Sequence, residues 1–89
     1  METQQMKTAN EIKVGQLAGL GYSVLRVKDL ETFPDGRVRS VVLCENKHAD
    51  NRYVTWFAYS HPCGDRHYES GVYSQDYERA FGWYEMRGG

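Results

Sequence analysis

The chain has 89 residues, with 40% hydrophobic and 26% charged residues and a net charge of −1. That length holds one domain with a modest core, and the balance excludes both intrinsic disorder and a basic field able to grip duplex nucleic acid. No apolar run approaches the ~20 residues that span a bilayer, and Met1–Asn10 lacks an apolar leader core, so a cytoplasmic protein without a membrane span is expected.

Residues 1–10 read as a flexible polar arm preceding a single domain over 11–89. Glu11–Gly21 places Ile12, Val14, Leu17 and Leu20 at near-helical spacing, but Gly15, Gly19 and Gly21 weaken a helix. A short helix or an irregular docking segment is expected there. Tyr22–Leu30 reads as the first strand, followed by the turn Phe33-Pro34-Asp35-Gly36. Arg37–Glu45 is the second strand, with β-branched Val38, Val41 and Val42, and Asn46–Asn51 is turn-like. Arg52–Ser60 is apolar on both faces, which points to a central strand. After the turn His61-Pro62-Cys63-Gly64-Asp65, Arg66–Tyr73 is the fourth strand.

The final element is a helix. Ser74 can cap it, Asp76 and Glu78 suit its positive end, and Arg87 suits its negative end. Tyr77, Ala80, Phe81 and Tyr84 form a core-facing stripe at i, i+3, i+4, i+7. The fold class that follows is α+β, a four-stranded antiparallel meander packed by a C-terminal amphipathic helix.

Cys44-Glu45-Asn46-Lys47-His48 and Cys63-Gly64-Asp65-Arg66-His67, with His61 beside the second, carry zinc-type ligands. In a meander the two pairs lie at opposite ends of the third strand, roughly 25 Å apart, too far to share one ion. A smaller site from His61, Cys63 and His67 is sterically easier, but the spacing matches no common zinc form. Cys63 has His61, Arg66 and His67 to activate a thiolate, yet no oxyanion pocket or cleft accompanies them in sequence. The carboxylate pairs Asp29/Glu31 and Asp76/Glu78 sit where a turn and a helix start already place acids, and no phosphate-loop glycine pattern occurs. No enzyme, metal or cofactor is expected, and with two cysteines both thiols should be free.

Aromatic residues crowd the last two strands and the helix. Alternation on the third strand sends Tyr53, Phe57 and Tyr59 opposite to Val54, Trp56 and Ala58, so one set faces the helix and the other is partly exposed. Exposed Tyr and Trp anchor protein interfaces, and Tyr53, Phe57, Tyr59, Tyr68, Trp83 and Arg52 are the expected anchors. A homodimer through the same face is the nearest variant of that reading. The alternative is single-stranded nucleic acid, with bases stacked on the aromatics and phosphates met by Arg37, Arg39 and Arg52.

Tyr53-Val54-Thr55-Trp56, then Tyr68-Glu69-Ser70-Gly71-Val72-Tyr73, then a helix with Asp76, Ala80 and Arg87, resembles a group of small β-meander-plus-helix proteins of bacterial phages and mobile genetic elements. The resemblance covers residues 38–87. It implies the fold and a genomic setting, and no catalytic residue. It makes a non-enzymatic protein-binding module the leading expectation, in its concrete form an anti-CRISPR-like inhibitor of a host defence complex.

Overall fold

The fold was obtained as a computed structural model, in which residues 12–88 are described; the expected polar arm over 1–10 lies outside them. Strands β1 (Ser23–Thr32), β2 (Val38–Glu45), β3 (Tyr53–Ser60) and β4 (Arg66–Ser74) form one antiparallel sheet in chain order, closed by helix α1 (Tyr77–Gly88). This is the expected meander and helix. Each strand follows its neighbour because the connecting turns are short and rich in turn residues. In the β1–β2 turn Asp35 accepts from the Arg37 amide, and Phe33 and Arg37 close the hairpin backbone.

β2 and β3 are the central strands and are buried on both faces. Val41, Val42, Leu43, Cys44, Val54 and Ala58 are all inaccessible to solvent. Fully burying each of the larger aliphatics contributes about 1.5–3 kcal/mol, which makes this strand pair the main source of stability. Alternation sends Val41, Leu43, Tyr53, Thr55 and Phe57 to one face and Val42, Cys44, Val54, Trp56 and Ala58 to the other.

α1 packs on the first of these faces through Ala80 and Tyr84, with Tyr77 and Phe81 beside them. Ala80 is small enough for close approach, and its carbonyl accepts from the buried Thr55 hydroxyl at 3.2 Å. The cap differs in detail from the sequence expectation. Asp76 is the capping residue: its carbonyl accepts from Ala80 N and its carboxylate from Glu78 N. Ser74 instead braces the approach by accepting from Asp76 N at 3.0 Å. The helix begins two residues later because the Ser74 hydroxyl stabilises a turn that competes with helical backbone.

The second face is roofed by the segment from Ile12 to Tyr22. It is irregular rather than helical. Its backbone pairs with the β1 edge through Gly15 N to Val24 O and Val24 N to Gln16 O, with an isolated bridge between Leu17 and Ser23. Leu20 and Gly21, at φ of 57° and 81°, turn the chain back between Gly19 and Tyr22. Those are the positive dihedrals of a type I′ hairpin turn, and they override the helical spacing of the aliphatics. Ile12 and Tyr22 are buried against Val24, Cys44, Val54 and Trp56, while Val14, Leu17 and Leu20 stay exposed. Trp56 fills this face, with Tyr22, Tyr68 and Tyr73 around it at centroid distances of 5.6, 5.4 and 6.2 Å.

Opposite Trp56, β4 carries an extra residue: Thr55 pairs with Val72 and Phe57 with Glu69. Ser70 adopts φ 58° to make this bulge. At Gly71 any Cβ would stand 2.5 Å from the Trp56 indole nitrogen, so the ring occupies the space a side chain would need.

Candidate binding surface

α1 covers only part of its face. It ends at Gly88, where an added Cβ would meet Lys28 and Val41 at 3.1 and 3.3 Å. Beyond that point the sheet presents a polar row: Arg39 opposite Tyr59 on β3, and Tyr59 opposite His67 on β4. Arg37 and His61 extend the row by one step toward the turns, on the same side by alternation. Arg37, Tyr59, His61, His67 and Glu69 line an open groove of about 370 Å³.

The two turns at this end set its walls. Arg37 lies over the Phe33 ring at 4.7 Å and bonds Asp35 at 2.8 Å. The Arg37 backbone amide, aided by its guanidinium, holds the Asp35 carboxyl below its ordinary pKa. His61 closes the other turn, accepting from Gly64 N and donating its own amide to Asp65 O. At Gly36 a Cβ would stand 2.7 Å from Pro62, so glycine allows the two turns to meet. The Tyr59 ring meets His67 edge-on at 5.9 Å, and His67 faces Glu69 at 3.4 Å.

At the inner end of this surface two guanidinium groups share one ring. Arg39 and Arg87 lie 4.4 and 4.6 Å from the Phe57 centroid. Arg87 also donates from Nη1 to Ser70 O at 2.7 Å and Thr55 O at 3.3 Å, which ties the helix to the β4 bulge. Burial pulls the Arg87 pKa down from its ordinary value.

The six expected anchors do not form one surface. Tyr53 and Phe57 lie on the helix-bearing face, half-buried; Tyr53 meets Tyr77 edge-on at 5.4 Å. Arg52 sits over Tyr53 and is bonded to Glu45 at 2.6 Å, at the end of β3 away from the groove. Tyr68 belongs to the opposite face, against Trp56. Trp83 is half-buried on α1. Of the six, only Tyr59 lines the groove. Glu69 and Arg87 carried no sequence signal of a site role, because Arg87 already suited the helix terminus. Counting alternate residues outward from Val41 and Phe57 is the one sequence step that leads to Arg39, Arg37 and Tyr59 together.

The metal and thiol candidates separate as their strand positions require. Cys44 is buried, and desolvation pushes its thiol up to about 12. Cys63 is free and exposed, while His61 and His67 face the groove. Among the described residues, no group of three or more His, Cys, Asp or Glu side chains gathers to hold a metal ion. Nor is any helix among them long and apolar enough to cross a membrane. No protein-family model, curated protein or solved structure matches this chain.

Proposed function

We propose that this chain is a non-enzymatic protein-binding module whose contact surface is the open end of the helix-bearing face. The observation that carries this reading is the groove of about 370 Å³ that the helix leaves uncovered, with Tyr59 and Arg37 in its wall. Tyrosine and arginine dominate binding energy at protein interfaces because each combines a large contact area with directional donors. β3 carries Tyr59, and the β1–β2 turn holds Arg37 through Asp35, so less order is lost on binding than from a free loop. The inhibitor of a bacterial defence complex is the concrete form, and its support is the sequence resemblance alone.

The test is an affinity pull-down of the tagged protein from its host's lysate, with and without nuclease, against Tyr59→Ala. Tyr59 is the informative position, since altering Tyr53 or Phe57 would disturb the packing under α1. A stoichiometric partner that survives nuclease and is lost in the variant is expected. Recovery of nucleic acid alone, or a partner equally retained by Tyr59→Ala, would overturn the assignment of this surface. Light scattering distinguishes the homodimer: a doubled mass that reverts in Tyr59→Ala makes the second copy the partner.

A further inference from the structure

We propose that Arg39 and Arg87, which both lie over the Phe57 ring at the inner end of this surface, form an anion site whose occupant is an extended acidic protein segment. The proposal rests on the binding-module reading and adds the chemistry of the partner. With both guanidinium carbons within 4.6 Å of one centroid, the two positive charges are no more than about 9 Å apart, close enough to repel inside a partly desolvated surface.

Among the described residues, no carboxylate stands within ion-pair distance of Arg39 or Arg87, although Glu31 is opposite Arg39 in the sheet. The Nε of Arg39 is buried and has no hydrogen-bond partner. Arg87 is directed only at neutral carbonyls. Two other arginines, each just before a strand, show the contrast: Arg37 holds Asp35 at 2.8 Å and Arg52 holds Glu45 at 2.6 Å. Partly buried cations are costly until an anion pairs with them, so this pair has a standing affinity for one.

A guanidinium takes a carboxylate or a phosphate equally well in geometry. The surroundings favour the carboxylate of a peptide. Nucleic acid binding on such a surface needs free aromatic faces for base stacking. The Phe57 ring already carries two guanidinium groups. An extended peptide instead presents alternate side chains on one side every ~6.6 Å, which falls within the limit of about 9 Å on the separation of the two charges.

The test is fluorescence anisotropy with three labelled probes: a peptide of alternating glutamate and serine, its lysine counterpart, and oligothymidylate. The acidic peptide should bind saturably, weaken with added salt, and lose about tenfold or more in affinity with Arg39→Gln. Arg52→Gln, outside the site, should bind as the parent does. Arg87→Gln disturbs a bond to the β4 bulge, so Arg39→Gln carries the test, with circular dichroism to show that it is folded. No binding of the acidic peptide, unchanged binding in Arg39→Gln, or tighter Arg39-dependent binding of oligothymidylate would each overturn the proposal. A Tyr59-dependent lysate partner with no affinity for the acidic peptide would reject the acidic segment and keep the module. Loss of Tyr59 dependence would reject the module while the peptide titration still reads the anion site directly.

Discussion

The two faces of the sheet are closed by different means. On one, a regular helix lies across Val41 and Leu43 and then stops, leaving a polar groove. On the other, an irregular segment and a ring of aromatics around Trp56 fill the space, with a β4 bulge shaped to the indole. The difference teaches that β2 and β3 need cover on both sides but do not specify its form. A helix gives straight, partial cover with a clean boundary. An irregular segment follows the contour of the side chains beneath it and leaves its own aliphatics, Val14, Leu17 and Leu20, outside.

The contrast breaks most visibly at Trp56. Trp56→Ala should cost about 3–5 kcal/mol by denaturant unfolding, because the ring joins β3, β4 and the covering segment at once. A loss under 1 kcal/mol would mean the aromatic face is not a packed core. Gly71→Ala should cost about 1–3 kcal/mol through overlap with the same indole. A neutral result there would show that the ring can withdraw.

Alkali probes the same face from inside. The folded Cys44 thiol titrates at about 12 against an ordinary value of 9.0, so the native state keeps a proton that the unfolded chain releases. Its stabilising contribution is complete below pH 9 and is lost between 9 and about 12, at about 1.4 kcal/mol per pH unit at most. Burial also raises the phenols of Tyr22, Tyr68 and Tyr84, which adds the same sign above their ordinary 10.0. Unfolding curves over this range, repeated with Cys44→Ala, isolate the thiol; an unchanged slope would place its proton elsewhere. In the native protein at pH 8, an alkylating reagent should modify exposed Cys63 and spare Cys44.

The helix side should yield the smallest effect. Nothing lies within 4 Å of a Cβ placed at Gly82, so Gly82→Ala should stabilise by about 0.5–1 kcal/mol through helix propensity alone. A destabilised variant would show that α1 approaches the sheet more closely at that turn.

Much of this was legible in the residues. Turn chemistry at Pro34-Asp35-Gly36 and Pro62-Cys63-Gly64 marks two of the sheet's three hairpins, and the two-sided apolar run at Tyr53–Tyr59 marks a central strand. The helix stripe at Tyr77, Ala80 and Tyr84 is equally plain. The side on which the helix rests was not legible, because Tyr53/Phe57 and Val54/Trp56 are comparably apolar sets and alternation alone cannot rank them. The expected anchors therefore divide between the faces: Tyr53 and Phe57 lie on the helix side, and Tyr68 turns away to the other face. The segment after Ile12 was obscured for another reason. Leu20 occupies a left-handed turn position that strongly disfavours leucine, so local preference pointed away from the hairpin that tertiary contacts impose.

The bulge at Ser70 and Gly71 has a consequence for the company this sheet keeps. β4 is an outer strand, and an outer strand with regular spacing is a template on which a foreign strand can grow. Here the spacing of free backbone groups is interrupted midway, and Arg87 already occupies the Ser70 carbonyl. An incoming strand would find only short matching stretches on either side of the interruption. At the other margin β1 is engaged at Val24 by the backbone of Gly15 and Gln16. Lateral growth is thereby hindered at β4 and at the start of β1, although the sheet's centre is among the most strand-prone and apolar stretches of the chain.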